Sequence, residues 1–198
     1  MVINSKSDYI KFINADREAS CAYSGKSISS KLKDFLFPNY EWTFIKELRY
    51  LEYCENVLKG KSLYGNLRWL FAKLRFRRLS IKLGYSIPIN VIGPGLSLPH
   101  RGNIIINPNT KIGSNCRIHV GVNIGAHLGK APQIGDNVYI GPGAILFGDV
   151  KIANNITIGA NATVNKSFLQ ENVVIAGTPA KVIKEYSDNW IVKSSYEK

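Results

Sequence analysis

The sequence contains few of the residues that build disulfide, metal or redox centres. Its 198 residues include three cysteines, Cys21, Cys54 and Cys116, without a C-x-x-C pair, so we predict free thiols in a reducing compartment. No apolar run reaches the length of a membrane span, and the first seven residues are polar. The expectation is therefore a cytoplasmic protein without a signal peptide.

Histidine is equally scarce, with His100, His119 and His127 only. Their spacing lacks the close pair expected of a three-histidine zinc site, so no metal is predicted. The sequence also has no HExxH, Walker or GxSxG motif. A histidine suits general acid–base catalysis, because its ordinary pKa near neutrality lets it accept a proton from an attacking oxygen.

Acidic residues are outnumbered, with 14 Asp and Glu against 26 Lys and Arg, for a net charge of +12. This excess favours anionic partners such as cofactor phosphates, an acidic glycan or a membrane face, and no nucleic acid is predicted. A predicted helix over residues 62–83 is the most basic segment. In one interpretation, its positive side is the solvated face of a helix that packs on the β-helix or on a neighbouring subunit. In the other, this side is a surface that holds anionic lipid or glycan at the inner face of the membrane.

Large aliphatic residues recur with a period of six, which is typical of neither a helix nor a flat strand. They are Ile134, Ile140, Leu146, Ile152, Ile158 and Val164. A smaller apolar residue stands four positions after each of the first five, and Gly, Asp and Asn between them suit tight corners. The pattern predicts a mostly β fold, a parallel β-helix in which three hexapeptides form one coil.

The period extends back to Ile92 with two interruptions. Two extra residues fall between Ile104 and Ile106, and four fall within residues 125–132, which we expect to form a protruding loop. We predict an α-helical region over residues 1–83, the β-helix over residues 84–184, and a C-terminal tail over residues 185–198.

The register predicts that the histidines converge. The two-residue insertion should stack Leu98 on Ile118 in the next coil, which places His100 and His119 on adjacent coils. The loop with His127 starts one corner later. All three histidines are therefore expected to line one cleft.

These repeats resemble the left-handed parallel β-helix acyltransferases, and residues 84–184 are similar to the serine acetyltransferase branch. The matching segments are residues 93–100, which end in His100, and Gly177-Thr178-Pro179-Ala180-Lys181. The resemblance implies a left-handed coil, acetyl-CoA as co-substrate, and a homotrimer with acetyl-CoA between subunits. It also implies His100 as general base, with His119 as a second histidine or acceptor contact. The implied CoA-binding residues are Gly141, Ala144, Gly159, Ala160, Ala180 and Lys181.

The acceptor site departs from that branch. Pro99 stands where an Asp precedes the catalytic histidine, and Ser86 stands nearest to a second Asp that orients it. Lys130-Ala131 replaces an Arg-His pair that binds serine. Ser86, His127 and Lys130 are the predicted acceptor contacts.

We therefore predict an acetyl-CoA-dependent O-acetyltransferase that acts on a sugar hydroxyl of a bacterial surface polysaccharide or its precursor. This combination resembles the O-acetyltransferases of capsule, O-antigen and exopolysaccharide pathways. Direct transfer is expected, because no cysteine stands in the motif. Two alternatives are a serine O-acetyltransferase of cysteine biosynthesis and a non-catalytic trimeric scaffold that binds glycan.

Overall fold

The computed structural model describes residues 2–20, 36 and 38–185. Cys21 and the predicted tail beyond residue 185 lie outside these residues. The helices of the described residues come first: α1 (Lys6–Ala19), α2 (Tyr40–Tyr53), which continues into a π-helical turn over Cys54–Leu58, and α3 (Leu63–Leu83). None of the helices in the described ranges is long and apolar enough to cross a bilayer.

Short polar side chains start the helices. Ser5, Asn39 and Ser62 each accept a hydrogen bond from a backbone N–H in the first turn of α1, α2 and α3. Gly84 ends α3 with a φ of 76°, a left-handed conformation that glycine adopts without strain. The basic helix predicted over residues 62–83 is therefore confirmed almost to the residue.

Thirteen short strands follow α3. They are β1 (Tyr85–Ser86), β2 (Ile104–Ile106), β3 (Lys111–Ile112), β4 (Arg117–Ile118), β5 (Asn123–Gly125), β6 (Gln133–Ile134), β7 (Tyr139–Ile140), β8 (Ile145–Phe147), β9 (Lys151–Ile152), β10 (Thr157–Ile158), β11 (Thr163–Val164), β12 (Val173–Ala176) and β13 (Lys181–Glu185). Parallel pairing joins them into three sheets, β1-β2-β5-β8-β11, β4-β7-β10-β12 and β3-β6-β9, and β13 adds antiparallel to β12. The chain is thus a parallel β-solenoid of about five coils, as the hexapeptide period predicts.

The predicted aliphatic residues form columns inside the solenoid. One column contains Ile118, Ile140, Ile158 and Ile175, which are paired in register from coil to coil and are 0% exposed. Each coil covers the apolar residues of its neighbour, which a single hexapeptide cannot do.

Both interruptions of the period lie where the sequence places them. Ser97 pairs with Arg117, so Leu98 stacks on Ile118 as predicted. The extra residues between Ile124 and Ile134 leave the coil as a hairpin-like loop, closed by an antiparallel bridge between His127 and Lys130.

Asparagine forms the corners between the sheets. Asn115, Asn137 and Asn155 have φ values of 56°, 58° and 57°, in the left-handed region that asparagine tolerates better than most residues. The Asn137 side-chain amide also donates to Asn155 Oδ1 in the next coil at 3.0 Å. The Asn residues of the repeat therefore shape the corners, as expected.

Gly141 is required by the close approach of two coils. A Cβ at this position would lie 2.8 Å from Ala160 N and from Ile158 O, which are backbone atoms that cannot give way. We expect Gly141→Ala to lower the free energy of unfolding by about 1–3 kcal/mol, as overpacking usually does. Urea unfolding measures this. The matched control is Gly125→Ala, whose Cβ would meet its nearest atoms at 3.9 Å. Equal stability of the two variants would contradict this account.

The helices are joined to the first coils by a buried ionic network. Arg49 of α2 is 0% exposed and donates to Asp16 of α1, to Glu52, and to the carbonyls of Ile92 and Gly93. Burial alone would lower the pKa of Arg49, but the two carboxylates raise it above its ordinary value. The guanidinium therefore stays charged and links two helices to the solenoid.

Candidate active site

His100 and His119 lie together at one edge of the solenoid. His100 comes two residues after the buried Leu98, and His119 comes one residue after the buried Ile118. Because Leu98 stacks on Ile118 in the next coil, the two histidines lie side by side. Their ring centroids are 6.0 Å apart. His100 is exposed, whereas His119 is half-buried.

His119 sits in a less polar environment than His100. Its ring packs against that of Tyr139, with 4.9 Å between centroids, and its Nε2 is buried without a hydrogen-bond partner among the described residues. Desolvation, then the charges of Arg117 and His100, lower the pKa of His119 to about 4. The imidazole is therefore neutral at pH 7 and only weakly basic.

The exposed His100 is better placed to accept a proton from a bound hydroxyl. The Tyr85 hydroxyl donates to the His100 carbonyl oxygen at 2.8 Å, which holds the backbone of this corner. The Tyr85 ring is buried and packs edge-on against Phe44, with centroids 4.8 Å apart. Burial raises the pKa of Tyr85, so its hydroxyl keeps the proton that it donates.

Sequence reasoning missed both tyrosines. Tyr139 lies at the exterior position of its hexapeptide, and Tyr85 precedes the repeat. Tyr139 could have been found from the register alone. It pairs with Arg117, which lies two residues before His119, so Tyr139 stands beside His119 in the next coil. The contact between Tyr85 and His100 has no such signal.

His127 makes no ring contact with the histidine pair in the described part of the chain. His127 is exposed in the loop and its ring packs against neither His100 nor His119. Lys130, at the other end of the loop, pairs with Asp149 at 2.6 Å, so its charge is already compensated. The roles of both residues in acceptor binding stay predictions.

Ser86 faces a different part of the molecule from the one expected. It is exposed on β1 and lines a cavity between α3 and the first coil, which also contains Ile87 and Phe76 in its wall. The ring of His100 has no hydrogen-bond partner within the described part of the chain.

The six predicted CoA-binding residues differ in exposure. Ala160 and Lys181 are exposed and Gly159 is half-buried, whereas Gly141, Ala144 and Ala180 are buried. The side chains of Ala144 and Ala180, 0% and 1% exposed, belong to the core of this chain. Their small size is explained by core packing, independently of any ligand.

Cys116 lies near the pair but is not poised for chemistry. It is fully buried, and desolvation raises the pKa of its thiol to about 12. Cys54 is buried too, and both thiols are free.

The low pKa of His119 makes the stability of the fold depend on pH. Unfolded histidine titrates near 6.5, so below that pH the unfolded chain binds a proton that folded His119 refuses until about pH 4. The free energy of unfolding should therefore fall as the pH drops from 6.5 to 4. Urea unfolding at about pH 7 and about pH 5 should show a smaller loss for His119→Leu than for wild type. His127→Leu, in the exposed loop, should behave as wild type, and an equal loss in all three proteins would refute the assignment.

Comparison with known proteins first shows a family to which part of the chain is similar. Residues 131–166 match the family model described as "Bacterial transferase hexapeptide (six repeats)". This match covers the stretch of perfect period-six repeats on which the fold prediction depends.

Similar sequences and similar solved structures point to one kind of transferase. A serine acetyltransferase from Staphylococcus epidermidis is 34% identical over 133 residues, 65% of this chain and 62% of that protein. The structure of a serine acetyltransferase from Brucella abortus superposes with a TM-score of 0.67 at 26% identity, covering 91% of this chain and 71% of the other. A Neisseria gonorrhoeae serine acetyltransferase in complex with serine gives 0.64 at 25% identity, covering 89% and 69%. The chain thus spans less than two thirds of the length of the sequence relatives.

These findings overturn the prediction of a polysaccharide acceptor. The relatives are serine acetyltransferases, which favours serine, the first alternative, as the acceptor. The prediction of a glycan acceptor rested on Pro99 and Lys130-Ala131, which differ from the motif of the serine acetyltransferase branch. A carboxylate and an ammonium group can be bound by other side chains than those of a motif, since only their charge and geometry matter.

Proposed function

We propose that the chain is an acetyl-CoA-dependent O-acetyltransferase whose acceptor is the hydroxyl of serine. The observation that supports this best is the His100–His119 pair on adjacent coils of a solenoid similar to serine acetyltransferases over 133 residues. The transfer is direct, from thioester to hydroxyl.

In this mechanism His100 accepts the proton as the serine oxygen attacks the thioester carbonyl. The C–S bond then breaks, and the departing thiolate takes the proton from His100, which leaves O-acetylserine and free CoA. His119 stays neutral beside His100, so it does not oppose the positive charge that forms there.

We further propose a homotrimer with acetyl-CoA between two subunits. The exposed Ala160 and the half-buried Gly159 line the acetyl-CoA site. The buried residues Gly141, Ala144 and Ala180 lie beneath this surface and determine its shape. Lys181, exposed on β13, supplies a cation for the phosphates. Sedimentation equilibrium with and without CoA tests the assembly.

The decisive experiment is thiol release from acetyl-CoA by the full chain. L-serine should stimulate release, with O-acetylserine as the acetylated product, and D-serine and L-alanine should not. Release that no serine concentration stimulates, by a protein that binds CoA, would refute serine as acceptor. Failure to bind CoA would refute the acetyltransferase itself.

Arg101 is the exposed cation next to His100 in the sequence, and we propose that it binds the serine carboxylate. Arg101→Gln should raise KM for serine by about tenfold, the effect of one lost charge-assisted contact, with kcat little changed. Lys111→Gln is the matched control, because it makes the same change of charge at an exposed residue of β3. An unchanged KM for serine in Arg101→Gln would refute this role.

A further inference from the structure

A cavity of about 780 Å³ separates α3 from the start of the solenoid. Neither His100 nor His119 lines it. Its apolar wall comes from the end of α2, the inner side of α3 and the chain after β1, and includes Leu51, Trp69, Phe76, Ile87, Pro88 and Ile89. The volume lies in the range of cavities that take small organic ligands.

The rim of this cavity is cationic. Lys59, Lys73 and Arg77 all line it, and α3 contains no acidic residue. The ammonium groups of Lys59 and Lys73 lie 4.4 and 4.9 Å from the centroid of the same Trp69 ring. Two cationic side chains thus lie against one aromatic ring of the cavity wall.

The single carboxylate at the rim is already engaged. Glu55 accepts from Lys59 through one oxygen and from the Trp69 indole N–H through the other. Among the described residues, Lys73 and Arg77 form no ion pair. Three cationic side chains and one carboxylate thus line the cavity, which leaves it with an excess of two positive charges.

An unsatisfied polar atom also lies in the wall. The Ser80 hydroxyl oxygen is buried without a hydrogen-bond partner among the described residues, and Ser80 lines the same cavity. Buried hydroxyls usually have partners, because an unmade hydrogen bond costs about 1–3 kcal/mol. This hydroxyl is therefore an unpaired polar group of the wall that is itself covered from solvent.

We propose that this cavity binds a small amphipathic anion, with an alkyl or aromatic body against Trp69 and Phe76 and an acidic head at Lys73 and Arg77. Apolar burial supplies affinity, and the excess of positive charge selects the charge of the head. This site is separate from the proposed acetyl transfer and does not depend on it.

Calorimetric titration with monomeric dodecanoate, below its aggregation concentration, tests the proposal. Dodecanoate should bind the full chain at least about tenfold more tightly than dodecanol or dodecyltrimethylammonium, which share its body without the anionic head. The double variant Lys73→Gln with Arg77→Gln should lose at least about tenfold in affinity.

Two control variants place the ligand. Arg78→Gln with Lys82→Gln makes the same change of charge on α3 but lines a different groove. Leu67→Gln with Phe71→Gln removes exposed apolar side chains of α3 that do not line the cavity. Both should bind dodecanoate as wild type does.

The proposal fails if dodecanoate does not bind, if the three amphiphiles bind alike, or if Lys73 and Arg77 prove dispensable. Loss of binding in the Leu67 and Phe71 variant alone would assign the ligand to the outer face of α3. Sedimentation of the protein with phosphatidylglycerol vesicles is a further test. Binding to the vesicles that added dodecanoate does not reduce would indicate a membrane-binding surface instead of the cavity.

Discussion

His100→Ala should lower serine-dependent thiol release by about 10²- to 10⁴-fold, the usual contribution of a general base. His100 is the exposed member of the histidine pair, and the low pKa of His119 makes that residue too weak a base to replace it. The loss should appear mainly in kcat, because His100 acts on the proton that moves during the attack.

The control for this variant is the integrity of the fold and of the CoA site. His100 is exposed and its ring contacts only His119 among the described aromatic rings, so the urea midpoint and CoA affinity should be unchanged. A variant that keeps more than about a tenth of the wild-type kcat would eliminate His100 as the base.

Arg49→Met should destabilise the protein by about 3–5 kcal/mol, the cost of removing one partner from a buried ion pair. The variant leaves Asp16 and Glu52 buried without their cation. Asp16 would keep only the backbone N–H groups of Gly95 and Leu96, at 2.8 Å each. Urea unfolding monitored by circular dichroism measures the change.

Lys46→Met is the matched control, since it makes the same change of charge on the exposed side of α2. Its stability should lie within about 0.5 kcal/mol of wild type, as for most surface substitutions. A third variant, Asp16→Asn with Arg49→Met, should be less destabilised than the sum of its single changes, because both charges of the pair are removed together. Strict additivity would mean that the two residues do not form one network.

The acceptor shows where motif reasoning fails. Pro99 and Lys130 differ from the serine acetyltransferase pattern, but they are local differences in a chain that is similar to serine acetyltransferases over a much longer stretch. The match over 133 residues outweighs them. A binding site is defined by charges in space, so a missing motif residue does not by itself exclude the ligand.

The sequence by itself determined the solenoid, its register and the adjacency of His100 and His119. A period of six can be read directly, and each insertion shifts the register by a countable number of residues, as the pairing of Ser97 with Arg117 shows. Only the tertiary structure decided how the helices meet the coils. The contacts of Arg49 with Asp16 and Gly93, the bond from Tyr85 to His100 and the cavity under α3 join residues that are distant in sequence and follow no repeat. They depend on how three non-repeating helices pack, which local periodicity does not specify.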